Sequence, residues 1–310
     1  MGSSLFRGKK NKTMGSSSTS VPSLMKDEEP RNWAELPSDL TSSIMLRLGV
    51  IEILENAQKV CTSWRRVSKT PSMWRKIDMH NLGDMRSSMK YDFEIMCRHA
   101  VDRSQGGLVE IDIWYFGTDN LLNYIADRAS NLRSLRVANC SQITSEGIAK
   151  AVVKLPLLED LNVSYCALSG QFLRAVGQSC PNLKTLKYNR IVESFADEPN
   201  NNAIAIAESM PQLRHLQLFA NALNSTGLKA ILDRCTYLEH LDLRRCLNID
   251  LSKDLRKRLE RIRVVRYTYD SIGDFPYHIT MSLDCEDSNL IYDFHDVLYE
   301  FPCHSASGNA

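Results

Sequence analysis

The chain has 310 residues, of which 43% are hydrophobic and 24% are charged, and its formal net charge at pH 7 is +1. This composition is typical of a globular protein with a core and excludes disorder of the whole chain. A net charge so near zero provides no overall field to recruit nucleic acid or a membrane surface. The longest purely apolar run, Ala203 to Ala207, is far shorter than a membrane span. We therefore expect no nucleic acid and no membrane among the partners.

The N-terminal residues 1–30 combine seven serines with a basic cluster and a short acidic run, and they show no periodic apolar signal. This pattern predicts a disordered tail. The whole chain contains nine cysteines without a Cys-x-x-Cys pair, which favours reduced thiols over a disulfide framework.

Residues 32–79 are dense in apolar side chains at helical spacing. One stripe recurs every four residues behind Pro37, which is suited to the first turn of a helix. So short a segment cannot bury all of these side chains, so part of the apolar surface should face a partner or the first repeat. The stripe consists of Leu36, Leu40, Ile44 and Leu48, and a later predicted helix carries Val60, Cys61, Trp64 and Val67.

The strongest feature of the remainder is an internal repeat of the pattern apolar-x-x-apolar-x-apolar. Six copies begin at residues 108, 132, 158, 183, 213 and 238, so successive starts are 24, 26, 25, 30 and 25 residues apart. Three residues after the last apolar position stand Phe116, Cys140, Cys166, Ile191, Asn221 and Cys246. Four of these six are the Cys or Asn that a leucine-rich repeat places there to bond turn backbone. Helical spacing between the copies predicts one strand, one turn and one helix per repeat.

A single unit of this kind cannot bury the leucines of its strand, so the units must stack and share one core. Six parallel strands about 4.8 Å apart give a concave wall about 24 Å long, with the helices on the convex side. The predicted fold class is α/β, with a small all-α domain followed by a repeat solenoid. The predicted divisions are a disordered tail (1–30), the helical domain (32–79), a connecting helical segment (80–107), about six repeats (108–250) and a basic cap with an acidic tail (251–310).

The C-terminal region changes charge sharply. Residues 251–266 carry seven Lys or Arg and two acidic residues, whereas residues 270–310 carry eight acidic residues, six aromatic residues and no Lys or Arg. The open end of a repeat array needs a cap. We hypothesise that part of residues 270–310 folds back to cover that end.

Side chains alternate along a strand, so residues between the apolar positions should point into the concave wall. Trp114 and Phe219 are the candidate exposed anchors, because aromatic side chains concentrate binding energy in interfaces. Packing of these two rings beneath a neighbouring loop is an equally open alternative. The candidate substrate-binding residues are Asp112, Trp114, Arg136, Asn162, Lys187, His215, Phe219, His240 and Arg244.

Three short motifs before the repeats carry a family resemblance. Leu36-Pro37, Val60-Cys61 followed by Trp64-Arg65, and the run from Pro71 to Asp78 resemble the F-box. An F-box in front of cysteine-containing leucine-rich repeats is similar to the plant F-box/LRR-repeat proteins, which are substrate receptors of SCF-type ubiquitin ligases. The two regions cover roughly three fifths of the chain.

The resemblance implies an adaptor-binding surface, a Skp-family adaptor as partner and, through it, cullin and RING subunits. It also implies an unknown protein substrate and a location in the nucleus, the cytoplasm or both. A helix-in-groove contact fits an apolar stripe on a helix that begins at a proline. Some of these residues, Ile44 and Trp64 especially, could instead hold the F-box helices together. The implied adaptor-binding residues are Leu36, Pro37, Leu40, Ile44, Leu48, Val60, Cys61 and Trp64.

Motifs for catalysis are not evident. The sequence has no phosphate-binding loop, no His-Glu-x-x-His and no Cys/His cluster at metal-ligand spacing. We therefore predict a non-catalytic protein without metal or cofactor. Two other functions stay open, a repeat scaffold whose F-box-like segment only caps the array, and a small-molecule sensor that holds its ligand on the concave wall.

Overall fold

The structure is a computed structural model, and it describes residues 33–80, 91–166, 168–190 and 200–274. The predicted disordered tail at 1–30, the turn position Ile191 and the acidic residues beyond Asp274 lie outside the described residues.

The N-terminal region is helical as far as Trp74, which the apolar periodicity predicted. Helix α1 begins directly after Pro37, and its buried face, Thr41 and Met45, packs toward α4. Between α2 and α3 the helix widens into a π-helical segment. The elements are a 3-10 turn Trp33–Glu35, α1 Ser38–Met45, α2 Val50–Glu52, the π segment Ile53–Ala57, α3 Gln58–Val60, α4 Thr62–Val67 and a second 3-10 turn Pro71–Trp74.

A single parallel sheet of eight strands follows, and its strands lie side by side in chain order. All six strands predicted from the repeat pattern are present. The second residue of each, and the fourth residue of the four five-residue strands, is buried in the core. The strands are β1 Lys76–Met79, β2 Glu110–Trp114, β3 Ser134–Ala138, β4 Asp160–Ser164, β5 Thr185–Asn189, β6 His215–Gln217, β7 His240–Asp242 and β8 Val264–Arg266.

Among the described residues, one helix lies between each pair of successive strands from β1 onward, so the array is a series of strand, turn and helix units. Neighbouring helices pack against one another along the convex side. The helices are α5 Phe93–Arg103, α6 Asp119–Arg128, α7 Ser145–Val152, α8 Phe172–Ser179, α9 Asn201–Ser209, α10 Ser225–Arg234 and α11 Lys253–Leu259.

The fold class is confirmed, with one difference in strand number. The structure has eight strands where six were predicted, because β1 precedes the first predicted repeat and β8 follows the last. At about 4.8 Å per step, the wall is about 34 Å long instead of about 24 Å. Strand β1 lies within residues 32–79, so the segment predicted to be purely helical ends in a strand of the solenoid.

The helical domain and the solenoid share one continuous hydrophobic core that extends from Met45 to Ile262. Helix α2 and helix α5 both pack against β1, which places that strand between the two regions. Trp74 is only 1% exposed, and its indole nitrogen donates a hydrogen bond of 2.8 Å to the carbonyl oxygen of Ser68. Arg103 of α5 lies over the Trp74 ring and donates a 2.9 Å hydrogen bond to the side chain of Gln58.

A buried polar side chain closes the four turns that carry Cys or Asn, as the pattern predicted. Asn221 donates a hydrogen bond of 2.7 Å to the carbonyl oxygen of Tyr188 in the preceding repeat. The thiol of Cys140 donates to the carbonyl oxygen of Ala138 at 3.2 Å, and that of Cys246 to the carbonyl oxygen of Leu218 at 2.8 Å. These bonds satisfy carbonyl groups that the turn would otherwise bury without a partner.

A residue one to three positions after five of the strands adopts a left-handed backbone conformation. These residues are Tyr115, Asn139, Tyr165, Ala220 and Arg245, with φ between 52° and 70°. A left-handed conformation costs a non-glycine residue roughly 1–2 kcal/mol, so the stacking of each turn on its neighbours must offset that cost.

Helix starts are also tied from one repeat to the next. The Asp119 carboxylate accepts hydrogen bonds from the amide of Thr144 at 2.8 Å and from its hydroxyl at 2.6 Å. Thr144 in turn caps α7 by accepting from the amide of Gly147. A Cβ atom built on Gly147 would lie 1.9 Å from Asp119 Oδ1, so this position has no room for a side chain.

We expect Gly147→Ala to destabilise the protein. The new methyl group displaces the Asp119 carboxylate from its bonds to Thr144, and overpacking of this kind costs about 1–3 kcal/mol, more than the roughly 1 kcal/mol that alanine contributes through helix propensity. Urea unfolding measures the change. Gly49→Ala is the control because no atom lies within 4 Å of its added Cβ. Equal stability of the two variants would contradict the proposed steric constraint.

Candidate functional site: the F-box surface and the concave face

Two surfaces contain the residues that the sequence singled out. The first is the helical surface formed by α1 and the α3–α4 corner. None of its eight predicted adaptor-binding residues is fully buried. Leu40 keeps 50% and Val60 keeps 59% of its surface exposed, so both can contribute apolar surface to an interface.

Helix α1 has one face buried in the core and another face exposed. Thr41 and Met45 are completely buried, whereas Leu40 and Ile44, one position earlier in each turn, are exposed or half-buried. The core of the domain therefore does not bury Leu40 and Ile44 of the apolar stripe completely. Because the buried and exposed faces are distinct, substitutions on the exposed face can test binding without emptying the core.

Two of the predicted residues serve the fold as well. Trp64 and Leu48 are half-buried and pack against the core, and the Trp64 indole nitrogen donates a 3.4 Å hydrogen bond to the carbonyl oxygen of Trp33. Ile44, by contrast, is half-buried without belonging to that packed set. The alternative that some of these residues hold the helices together therefore applies to Trp64 and Leu48.

Sequence reasoning missed two exposed apolar groups of the helical domain. Leu46 and Trp33 are each 61% exposed, and the carbonyl oxygen of Trp33 accepts the hydrogen bond from Trp64. Both fall outside the four-residue spacing of the stripe, which is why the pattern did not select them. An open groove beside Val60 is lined by Gln58, Lys59, Cys61, Thr62 and Arg65.

The second surface is the concave face, where the strand register aligns side chains in three rows. The first, third and fifth residues of the strands form these rows. The row of first residues runs from Lys76 through Asp160, His215 and His240 to Val264. The row of third residues consists of Asp78, Asp112, Arg136, Asn162, Lys187, Gln217, Asp242 and Arg266.

The nine predicted substrate-binding residues divide by exposure. Five of them remain half-buried, and four are buried. The expectation that Trp114 and Phe219 are exposed anchors is wrong, because they keep only 5% and 1% of their surface exposed. Trp114 is the fifth residue of β2, and the fifth residues are buried throughout β2 to β5, while Phe219 lies two residues past the end of β6. The half-buried residues are Asp112, Arg136, Lys187, His215 and His240, and the buried ones are Trp114, Asn162, Phe219 and Arg244.

At the N-terminal end of the face, Trp114 forms the centre of a polar cluster. Its indole nitrogen donates a 2.8 Å hydrogen bond to Asp112, and Asp112 forms an ion pair of 3.2 Å with Arg136. The His80 ring lies 3.9 Å from the Trp114 ring between centroids. Burial raises the pKa of the Asp112 carboxyl, although the adjacent Arg136 acts in the opposite direction.

In the middle of the face, buried amides and hydroxyls form a chain of hydrogen bonds across three strands. Ser164 donates to Asn162 at 2.6 Å, and Asn189 donates to Ser164 at 2.8 Å. The oxygen of Asn189 then accepts from the amide of Phe219 at 3.3 Å. These polar groups satisfy one another, so they form the floor of the face and hold neighbouring strands in register.

The C-terminal half of the face carries a pair of imidazoles. The rings of His215 and His240 lie 4.6 Å apart between centroids, and Lys187 lies in the adjacent row on β5. Burial and the neighbouring His240 lower the pKa of His215, while Glu239 and Asp160 act to raise it and Lys187 acts to lower it. Both imidazoles are half-buried, so a ligand can reach them from the concave side.

After β8 the chain turns back over this half of the face, and we name residues 267–274 the strap. Arg244, 4% exposed, forms an ion pair of 2.8 Å with Asp242 and donates a 2.8 Å hydrogen bond to the carbonyl oxygen of Ser271. Arg244 also pairs with Asp274. Sequence reasoning placed Arg244 on the face but could not identify Ser271 and Asp274 as its partners, because they lie 27 and 30 residues downstream.

The strap also explains the burial of Phe219. Ile272 packs against a small cluster formed by Tyr165, Phe219 and Ala220. This is the alternative in which the ring of Phe219 lies beneath a neighbouring segment. Trp114 is buried at the opposite end of the face, where it contacts His80, Tyr115 and Arg136.

Within the described ranges, no three His, Cys, Asp or Glu side chains come close enough to hold a metal ion. Burial raises the pKa of the thiol of Cys97 to about 12 and those of Cys180 and Cys235 to about 11, so these thiols stay protonated near neutral pH. None of the helices in the described part of the chain is long and apolar enough to cross a bilayer.

Comparison with known proteins finds similarity over both surfaces. Residues 33–80 match the family described as F-box-like. F-box protein SKIP19 of Arabidopsis thaliana is 61% identical over 91% of this chain and 90% of its own length. Putative F-box/LRR-repeat protein 22 of the same plant is 55% identical over 84% of each chain. Putative F-box/LRR-repeat protein 23 is 64% identical over 82% of this chain, which spans 57% of that longer relative.

We expect Asp160→Asn to change how stability depends on pH. Burial raises the pKa of Asp160, against the effects of Lys187 and Thr185, so the folded protein holds the proton more tightly than the unfolded chain. The free energy of unfolding therefore falls as pH rises from the ordinary carboxyl pKa through the raised one. Asparagine cannot ionise. The free energy of unfolding of Asp160→Asn relative to the wild type should therefore be higher at about pH 7 than at about pH 4.

Urea unfolding at the two pH values measures this difference. Glu260→Gln, at an exposed carboxylate, serves as the control. A relative stability of Asp160→Asn that is the same at both pH values would contradict the assignment.

Proposed function

The chain belongs to the plant F-box/LRR-repeat proteins, and from that premise we propose that it is the substrate receptor of an SCF-type ubiquitin ligase. The F-box surface binds a Skp-family adaptor, and the adaptor connects the receptor to cullin and RING subunits. The concave face binds a protein substrate. The receptor works in the nucleus, the cytoplasm or both.

The observation that carries this proposal is the division of helix α1 into a buried and an exposed face. Thr41 and Met45 complete the core of the domain, while Leu40 and the nearby Val60 remain exposed. Burying an exposed Leu or Val against a partner contributes about 1.5–3 kcal/mol per side chain. An apolar stripe of this kind on a helix that begins at a proline fits the groove of an adaptor.

The hydrophobic core shared by the F-box and the solenoid fixes the geometry on which the proposed mechanism depends. Strand β1 belongs to the sheet yet packs against α2 of the F-box, so the adaptor-binding and substrate-binding surfaces are parts of one continuous body. A substrate held on the concave face is thereby kept at a set distance and orientation from the ubiquitin-carrying partner. Tethering raises the local concentration of the acceptor lysine, and no residue of this chain needs to make or break a bond.

We expect Leu40→Asp and Val60→Asp each to weaken adaptor binding by at least about thirtyfold, the effect of losing a hot-spot side chain worth about 2 kcal/mol. Both side chains are at least half exposed, so the variants should fold normally. Calorimetric titration with a purified Skp-family adaptor measures the affinity, and thermal unfolding checks the fold.

Val153→Asp is the matched control, because Val153 is 63% exposed on the convex side of the solenoid. It should bind the adaptor as the wild type does. Unchanged adaptor affinity of both F-box variants would overturn the receptor proposal and favour a repeat scaffold that works outside a ligase.

A further inference from the structure

The strap has two parts, and its first part is bonded to the last repeat. We name residues 267–270 the root. Thr268 is buried, and its carbonyl oxygen accepts a 2.9 Å hydrogen bond from the amide of Arg245. Asp270 accepts a 2.9 Å bond from the amide of Tyr267 through its carboxylate. The root therefore continues the hydrogen bonding of the solenoid beyond β8.

The second part, residues 271–274, is named the tip, and Arg244 holds it through two polar contacts. The guanidinium donates a 2.8 Å hydrogen bond to the carbonyl oxygen of Ser271 and forms an ion pair with the carboxylate of Asp274. Ser271 and Asp274 are exposed, whereas Arg244 is 4% exposed. A carboxylate from another polypeptide can make the same charge-assisted contact with this guanidinium.

Ile272 provides the apolar contact of the tip. It packs against the cluster of Tyr165, Phe219 and Ala220. Tyr165 directly follows β4, and Phe219 lies just beyond β6, so the cluster extends across neighbouring repeats. Ile272 is half-buried, while the other three residues of the tip are exposed. Withdrawal of the tip would therefore uncover two aromatic rings at the cost of one half-buried side chain.

The surface beneath the tip has the composition of a peptide-binding site. Aromatic and arginine side chains dominate the binding energy of protein interfaces, and here Tyr165 and Phe219 lie under the same tip as Arg244. Asp242 holds the guanidinium independently of the strap, through an ion pair of 2.8 Å and a 3.1 Å bond from Nε. Arg244 thus keeps its position when the tip leaves, which lowers the cost of binding a ligand there.

The tip also indicates which ligand residues matter. Its two side chains that contact the face, Ile272 and Asp274, are separated by Gly273. A Cβ atom built on Gly273 would meet only Ser271 Oγ within 4 Å, at an ordinary distance of 3.6 Å. The middle position therefore does not require glycine. The pattern that fits the surface is an aliphatic residue, any residue, and an acidic residue.

We propose that the tip occupies in cis a peptide-binding site formed by Tyr165, Phe219 and Arg244. A substrate binds this site through an aliphatic residue followed two positions later by a carboxylate, and it displaces the tip while the root stays bonded. Phe219 and Arg244 are then substrate-binding residues that a ligand reaches only after the tip moves. The inference rests on the proposed function only in treating the concave face as the substrate surface.

A peptide titration tests the site. The probe is a dye-labelled Ser-Ile-Gly-Asp peptide with an amidated C-terminus, and fluorescence anisotropy measures its affinity for full-length chains. The double variant Ile272→Gly with Asp274→Asn should bind it at least about tenfold more tightly than the wild type, as expected when the tip covers the site about nine-tenths of the time. Tyr269→Ser, at a root residue that is 87% exposed, is the control and should bind as the wild type does.

Equal affinity of the double variant and the wild type would overturn the proposal, as would the lack of saturable binding to the double variant. Changes in the peptide test the pattern. Alanine in place of its glycine should preserve binding, because the middle position has room. Serine in place of its isoleucine, asparagine in place of its aspartate, or a second glycine between them should each weaken binding about tenfold or more. An affinity that is indifferent to all three changes would contradict the assigned contacts.

Arginine modification tests whether the tip covers the site. Phenylglyoxal labelling of Arg244, located by mass spectrometry, is compared with that of Arg65, an exposed residue of α4 that serves as the internal reference. The ratio should rise about tenfold in the double variant and to a smaller extent in Asp274→Asn, which alters only an exposed carboxylate. Thermal unfolding checks that each variant is folded. An unchanged ratio in both variants would overturn the proposal.

These measurements use the chain without an adaptor, so their outcome is independent of the adaptor titration. Failure of peptide binding and of the labelling difference would remove the site beneath the tip and leave the receptor proposal standing. Failure of the Leu40 and Val60 variants to weaken adaptor binding would do the reverse.

Discussion

The pairing of β1 with β2 is the interaction on which the rest of the structure depends. Strand β1 is the last element of the F-box segment and the first strand of the sheet, so its backbone hydrogen bonds connect the helical domain to the solenoid. A flexible linker between the two regions would let a substrate move freely relative to the adaptor. Here the packing of α2, α5 and the buried Trp74 around β1 leaves no such linker among the described residues.

Beyond that junction, the solenoid is stabilised by contacts between nearest neighbours. Turns that carry Cys or Asn bond to the preceding repeat through side chains such as Asn221, and helix starts are connected through pairs such as Asp119 and Thr144. From Asn162 to Asn189, side-chain hydrogen bonds connect neighbouring strands beneath the concave face. These bonds make this part of the face rigid. Specificity must then come from the half-buried rows above this floor and from the residues that the strap covers.

The repeat pattern predicted six strands correctly and missed two that obey the same rule. Trp74, Ile77 and Met79 have the spacing apolar-x-x-apolar-x-apolar, and so do Ile262, Val265 and Tyr267. The first set was assigned to the F-box because its residues also match that motif, although one strand can belong to both. The second set lies in a strongly basic stretch, where the charged residues obscured the apolar spacing. The assignment of adaptor-binding residues remains a prediction, although none of the eight is buried.

Periodicity and motif order were sufficient for the architecture and the family, because period-two alternation and a recurring unit of about 25 residues are local properties of the chain. They also placed seven of the nine candidate residues on strands, while Phe219 and Arg244 each stand two residues past the end of a strand. Which of them a ligand can reach was decided only by tertiary contacts. Alternation assigns a side chain to a face, but Phe219 and Arg244 are covered by Ile272 and Asp274, which lie far downstream in the sequence. Exposure depends on every segment that packs above a residue, and that information is not local.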